Sequence, residues 1–246
     1  MSIVIVEHSP NFGAGILAGV LRGLGSRTRT VCVDRGQPLP TDLDGITGIV
    51  SCGGEQSAYG NEPWLAQEMG LLRDAHGAGI PIVGLCLGAQ LLAQALGGEV
   101  RKSATPELGW FDVKLSPVGR EDPVFAGMPW SSKQFCWHND EIVTPPPGAH
   151  VLGSSERCKV QAFSIGLVSY AFQFHFEWDR SLILKEVDLF GDEIRKAGAS
   201  PDAIRAETST HGSVSERLAE RISERLALCV MPADRVNRGV TRDLHH

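Results

Sequence analysis

Along the first part of the chain, short apolar runs alternate with longer stretches of helical period. Ile3, Val4, Ile5 and Val6 form the first run, Glu7-His8-Ser9-Pro10 makes a turn, and Ile16, Leu17, Val20, Leu21 and Leu24 then recur at helical spacing. A short apolar run followed by that period predicts a strand and then a helix. Residues 28–33 predict a second strand, residues 34–44 a polar loop with two prolines, and residues 45–52 a third strand rich in Ile and Val. Asn61 reads as the N-cap of a helix over 64–78, with Leu65, Met69, Leu72 and Ala75 on one face. Strands interleaved with helices at this pace predict an α/β fold with a doubly wound parallel sheet.

The next run breaks in a special way. Ile80, Ile82, Val83 and Leu85 predict a buried parallel strand, whereas Leu87, Leu91, Leu92, Ala95 and Leu96 recur as a helix that Gly97-Gly98 ends. Cys86 sits on the corner between them, in the spacing G-x-C-x-G. A residue there needs a sharp turn, and Gly84 and Gly88 leave room for one because they lack a Cβ. The free amides of the following helix favour thiolate over thiol at Cys86, and the Leu87 N–H is placed to stabilise an oxyanion formed when sulfur attacks a carbonyl. The alternative is a small core hydrophobe, the commonest use of a free cysteine.

Beyond Gly98 the pattern changes to closely spaced β segments at 99–102, 110–115, 133–137, 151–154, 160–165 and 166–174, separated by turn clusters such as Pro145-Pro146-Pro147-Gly148. They predict a small antiparallel part added to the parallel sheet. From Asp179 to Ala197 the period is helical again, and 214–230 place Leu218, Ile222, Leu226 and Cys229 on one stripe. The link between these helices is polar and rich in Ser, Thr and Gly, and the last dozen residues, with His245 and His246, read as frayed. The expected organisation is one domain over 1–197 and a helical extension over 198–246 that packs on it.

Composition narrows the function. A chain of 246 residues, 42% hydrophobic, can bury a full core, and a net charge of -6 gives no electrostatic reason to expect nucleic acid or an acidic membrane as partner. No apolar stretch is long enough to span a bilayer, and the N-terminus turns acidic too soon for a signal peptide. The six cysteines are scattered with no C-x-x-C pair, which suits reduced thiols and a cytoplasmic protein. Plain packing is the expected role of every cysteine except Cys86.

Phe172-Gln173-Phe174-His175-Phe176-Glu177 alternates as a strand does, so His175 and Glu177 emerge on one face. After a bend, the carboxylate can hold one imidazole nitrogen and leave the other for a thiol. As metal ligands the pair lacks company, Cys136 and His138 being the other candidates, so no metal is expected. As a base and its orienter, the pair matches the nucleophile expected on a different strand end. The order nucleophile, base, acid, with the last two adjacent, argues against an α/β-hydrolase, in which the acid precedes the histidine. His8 reads as a solvated turn residue, and the charges over 216–225 as a solvated helix face with i,i+4 pairs.

Gly84-Leu85-Cys86-Leu87-Gly88-Ala89-Gln90 together with Phe174-His175-Phe176-Glu177 resembles the triad of class I glutamine amidotransferases, most like the amidotransferase domain of GMP synthase and its free-standing relatives, over roughly 3–179. The resemblance implies a flavodoxin-like, mostly parallel sheet, a Cys86, His175 and Glu177 triad, and hydrolysis of the glutamine side-chain amide through a γ-glutamyl thioester without a cofactor. Ser51-Cys52-Gly53-Gly54-Glu55 takes the place of the family's Gly-Gly-Pro turn, which makes Gly54 the second oxyanion amide beside Leu87 and puts Gly53 at the substrate. Gln90 matches a substrate-holding glutamine, and Trp137-His138-Asn139-Asp140 matches a Ser-His-Gly-Asp-like segment near the α-substituents, so His138, Asn139 and Asp140 are implied in substrate binding.

Two positions depart from the pattern: Glu55 replaces the proline, leaving the turn less fixed in φ, and Trp137 and Asn139 replace commoner residues. The residues after Asp179 are too few for the synthase domain of GMP synthase and carry no phosphate-binding glycine loop. The resemblance therefore implies a separate ammonia-accepting synthase subunit or a simple hydrolase. A γ-glutamyl peptidase acting on γ-glutamyl conjugates is the alternative within the family, and a non-catalytic binding module on the same fold the alternative outside it.

Overall fold

A computed structural model describes residues 1–231. The terminal histidines and most of the last dozen residues lie outside the described residues. Among the described residues, nine strands form one sheet in the order β2-β1-β3-β4-β9-β8-β7-β5-β6. The parallel half comprises β1 (Ser2–Glu7), β2 (Thr28–Cys32), β3 (Ile46–Ser51), β4 (Ile82–Leu85) and β9 (Ser169–Phe172). The antiparallel half, β5 (Glu99–Leu115), β6 (Ser131–Thr144), β7 (His150–Ser154) and β8 (Ala162–Ile165), continues the same sheet from β9. The segments expected separately at 99–102 and 110–115 run on as one strand, paired along most of its length with β6.

Strand alternation divides the core between the two faces. Ile3 and Ile5 of β1 join Val50, Val83 and Leu85 beneath α1 (Gly15–Gly23) and the last turns of α7 (Pro201–Cys229). Val4 and Val6 face the other way, onto α2 (Leu65–Gly77) and α3 (Leu87–Ala95). Helices on both faces of a parallel sheet are the doubly wound arrangement that the strand–helix alternation predicts. A five-residue helix, α4 (Pro117–Glu121), and the pair α5 (Arg180–Leu189) and α6 (Gly191–Lys196) complete the elements.

Several boundaries differ from the sequence reading. Asn61 is exposed and caps nothing: α2 begins at Leu65 with Trp64 as its N-cap residue and no side-chain cap. The polar link after Ala197 is mostly helix, because Ser200 accepts from the Ala203 N–H at 3.3 Å and Pro201 opens α7, two strong start signals. The buried stripe of α7 runs through Thr208, Gly212 and Ser215 before reaching Ala219, Ile222 and Leu226. Its first half is small or polar because Trp110 Nε1 donates to Thr208 Oγ1 at 2.9 Å and the Arg180 side chain crosses Gly212 to reach Glu216. The charges over 216–225 bridge to other elements: Glu216 pairs with Arg180, Arg221 Nε donates to the Ala126 carbonyl and Arg225 Nε to that of Pro123.

Among the described residues, no helix is long and apolar enough to cross a membrane. Because Ile222 is fully buried in the core shared with β1 and β4, I222A is expected to cost about 2–5 kcal/mol in urea denaturation, with one cooperative transition. An early, separate transition would contradict a core common to sheet and extension.

Candidate active site

The corner at Cys86 has the conformation that its flanking glycines imply. Cys86 is the one non-glycine residue with positive φ among the described residues (φ 49°, ψ -104°), directly ahead of α3. Such a conformation costs a side-chain-bearing residue on the order of 1–3 kcal/mol and persists only where its surroundings over-determine it. Those surroundings are tight: a Cβ on Gly84 would stand 2.6 Å from the Gly88 carbonyl oxygen, and one on Gly88 would collide with the Ser51 carbonyl. The Cys86 N–H donates to Phe172 O at 2.8 Å and the Gly88 N–H to Cys52 O at 3.0 Å, which pins the turn between β9 and the end of β3.

His175 and Glu177 lie past the end of β9 rather than within the strand. The His175 N–H is held by the Phe135 carbonyl at 2.8 Å, and the Glu177 carbonyl accepts the Ile16 N–H at 2.9 Å where α1 begins. His175 Nδ1 meets Glu177 Oε1 at 2.7 Å, with both side chains buried. The Trp178 ring lies 4.3 Å from the imidazole and fixes its tilt. Gly53 joins the ring to the thiol: a Cβ added there would stand 3.0 Å from His175 Cε1 and 3.7 Å from Cys86 Cβ.

Burial alone would keep this imidazole neutral. The Glu177 carboxylate and the hydrogen-bonded Cys86 sulfur outweigh burial and push His175 up from 6.5 to about 10. At neutral pH the ring is therefore an imidazolium beside sulfur, with Glu177 behind it. Burial pushes the Cys52 and Cys136 thiols well up, so neither is prepared as a nucleophile.

A cavity of about 250 Å³ opens over the sulfur. That is small beside the roughly 300–1,000 Å³ of drug-sized pockets and suits an amino-acid-sized ligand. Cys86, His175, Gly54, Leu87, Gln90, His138, Asn139 and Asp140 all line it, whereas Gly53 packs behind the reacting pair and Glu177 behind the ring. The Gly54 and Leu87 N–H groups have no hydrogen-bond partner among the described residues. Gln90 Nε2 donates to Asp140 O at 3.1 Å and Gln173 Oε1 at 3.2 Å. Asp140 Oδ1 accepts from Tyr59 at 2.8 Å.

His138 is buried, with Nε2 3.1 Å from Glu107 Oε2 and Nδ1 3.0 Å from Asp140 O. Glu107, Cys136 and His138 bring potential ligand atoms within 4.8 Å of one another. Both Glu107 oxygens are already taken, Oε1 by Ser155 and Oε2 by His138 and Gln161, so the cluster reads as a closed hydrogen-bond network that fixes His138.

With this geometry in place, comparison with known proteins is decisive at the level of family. A model of glutamine amidotransferase class-I matches residues 9–183. The chain belongs to the class-I glutamine amidotransferases. It is 46% identical over 99 residues to the glutamine-hydrolyzing GMP synthase subunit of Sulfolobus acidocaldarius, covering 40% of this chain and 51% of that one. It is 28% identical over 158 residues to gamma-glutamyl peptidase 2 of Arabidopsis thaliana, covering 63% of each. The chain thus spans about half the length of the Sulfolobus relative. The crystal structure of a glutamine amidotransferase from Methylobacillus flagellatus superposes with a TM-score of 0.85 at 26% identity, covering 94% of this chain and 95% of that one.

Some residues of the amidotransferase site escaped the sequence reading. Gln173 Nε2 points at the Cys86 sulfur from 3.6 Å, and Gln173 shares the parity of His175 and Glu177 in the alternation that identified them. His8, read as solvated, is fully buried on Glu68, because Glu68 falls on the apolar stripe of α2 three residues after Leu65 and needs a partner. Phe190, Glu193, Ile194 and Ala197 add a wall to the cavity from α6 and its flanks.

The raised pKa makes the stability contribution of His175 pH-dependent. Protonation favours the folded state, so the contribution is complete below about pH 6.5 and is lost as pH rises through about 10. The urea-midpoint gap between wild type and H175Q is expected to be widest near pH 6 and to close toward pH 10. A gap that widens with pH would contradict the charged pair.

Proposed function

We propose that this chain hydrolyses the side-chain amide of glutamine and passes the ammonia to a separate synthase protein, with Cys86, His175 and Glu177 as its catalytic groups. The observation that carries the reading is the meeting of the Cys86 thiol and the Glu177-held imidazole around Gly53, at the floor of a cavity whose two free amides belong to Gly54 and Leu87. The Cys86 thiolate attacks the amide carbon and forms the S–C bond, while the carbonyl electrons move to oxygen, held by the Gly54 and Leu87 N–H groups. The His175 imidazolium gives its proton to the amide nitrogen, the C–N bond breaks, and ammonia leaves a γ-glutamyl thioester. The neutral ring then takes a proton from water, and the resulting hydroxide attacks the thioester. Collapse expels the Cys86 thiolate, releases glutamate and leaves His175 protonated again.

Gln90, Asn139 and Asp140, from the opposite wall, are the groups placed to hold the α-substituents of the substrate, with His138 fixing their segment. The Sulfolobus relative, named as the glutamine-hydrolyzing part of GMP synthase, supports an ammonia-using partner. One feature favours a second reading, hydrolysis of γ-glutamyl conjugates. Phe190, Ile194 and Ala197, beyond the stretch matched by the family, add an apolar wall that an amide larger than glutamine could use, and one relative is named a gamma-glutamyl peptidase.

Ammonia release from glutamine, measured beside amine release from a γ-glutamyl dipeptide, separates the two. Wild type is expected to favour glutamine, C86A to lose at least about 10³-fold in kcat, and E177Q roughly 10²- to 10⁴-fold. Full activity of C86A, or no release from either substrate by wild type, would contradict the reading and favour a non-catalytic module.

A further inference from the structure

We propose that His8, clamped by Glu68, is a positioning residue that sets the plane of the Gly53–Gly54 peptide and so aims the Gly54 N–H into the Cys86 cavity. The inference rests on the oxyanion role given to Gly54 above. A peptide unit is rigid and its C=O and N–H point opposite ways, so whatever holds the Gly53 carbonyl also directs the Gly54 N–H. His8 Nδ1 lies 3.3 Å from that carbonyl oxygen and 3.0 Å from the one before it, on Cys52. The Cys52 carbonyl also accepts the Gly88 N–H, which registers the oxyanion turn against the start of α3.

The clamp is built from both sides. His8 Nε2 meets Glu68 Oε2 at 2.7 Å, and Ser51 Oγ donates to Glu68 Oε1 at 2.6 Å, all three residues being essentially without exposure. Every atom facing the two ring nitrogens is an acceptor when Glu68 is ionised, so both nitrogens donate and the ring is an imidazolium. Burial opposes that charge, yet the Glu68 carboxylate and the two carbonyls raise the His8 pKa above its ordinary value. Trp64 stacks on the ring at 4.8 Å, and the His8 carbonyl accepts from Gln56 Nε2 at 3.3 Å on the far side of the turn.

The arrangement answers the departure at Glu55. A proline there would restrict φ in the turn, and with Glu55 in its place the same peptide is held instead by hydrogen bonds from behind. A fully buried, charged histidine with one nitrogen committed to Glu68 and the other to the turn's carbonyls does more than fill the core. Removing the Nδ1 side alone should disturb catalysis while leaving the fold intact.

Two variants divide the ring's functions. An asparagine amide reaches the Nδ1 position and a glutamine amide the Nε2 position, so H8N keeps the donor to the turn and H8Q keeps the donor to Glu68. In glutamine hydrolysis, H8N is expected to stay within about 3-fold of wild-type kcat and H8Q to lose roughly 10- to 100-fold, with KM within about 2-fold in both. Alkylation of Cys86 by iodoacetamide, which passes through no oxyanion, should proceed at the wild-type rate in both variants. H8Q equal to or better than H8N, or a parallel loss of hydrolysis and alkylation, would overturn the proposal. Should wild type hydrolyse neither glutamine nor a γ-glutamyl dipeptide, the functional reading fails by itself. The positioning role is then decided by crystal structures of H8Q and H8N: a Gly53–Gly54 peptide rotated in H8Q alone supports it, and one unmoved in both overturns it.

Discussion

The structure depends on the close approach between the start of α3 and the end of β3. Gly88 lies so near the Ser51 carbonyl that no side chain fits, and Gly84 is equally crowded against Gly88 and Ala89. This packing forces Cys86 into a positive φ that costs free energy, and in return sets its side chain at the head of a helix with the Leu87 amide free. Everything else at the carboxyl ends of the parallel strands is arranged around that corner. The Cys52 carbonyl ties it to the oxyanion turn, the Phe172 carbonyl ties it to β9, and β9 leads directly into Gln173 and His175.

Charge burial is the second organising constraint. Three histidines around the cavity, His8, His138 and His175, are each buried against a glutamate: Glu68 at 2.7 Å, Glu107 at 3.1 Å and Glu177 at 2.7 Å. An unpaired buried charge costs several kcal/mol, so each carboxylate needs its ring and removing one partner strands the other. The pairs differ in what their second nitrogen does. His175 presents it to sulfur, His8 to the carbonyls of the oxyanion turn, and His138 to the carbonyl of Asp140 on the opposite wall. One chemical unit, repeated on three elements, thus supports nucleophile, oxyanion turn and substrate wall.

Much of this was legible in the sequence, for physical reasons that differ by element. Alternating Ile and Val in β1 and the helical period of α1 report burial directly, so the parallel half was readable from spacing alone. The elbow was readable because only glycine tolerates the crowding at positions 84 and 88. The His175 and Glu177 parity survived even though β9 ends at Phe172, because the chain bends without changing which residues turn inward. His8 and Glu68 were not readable, since neither looks buried by residue type and each is explained only by the other, 60 positions away. The first half of α7 was hidden because its buried face is Thr208, Gly212 and Ser215, shaped to accept Trp110 and Arg180 rather than to supply hydrocarbon.

The central claim is that a single sulfur, on the strained corner, carries the substrate's acyl group between ammonia release and water attack. Acid quenching of the enzyme during glutamine turnover, followed by mass spectrometry of its peptides, tests this most directly. The account expects a γ-glutamyl adduct on the peptide containing Cys86 and on none containing Cys52, Cys136 or Cys158. Steady ammonia release with Cys86 unmodified at every quench time, or an adduct on another cysteine, would contradict it.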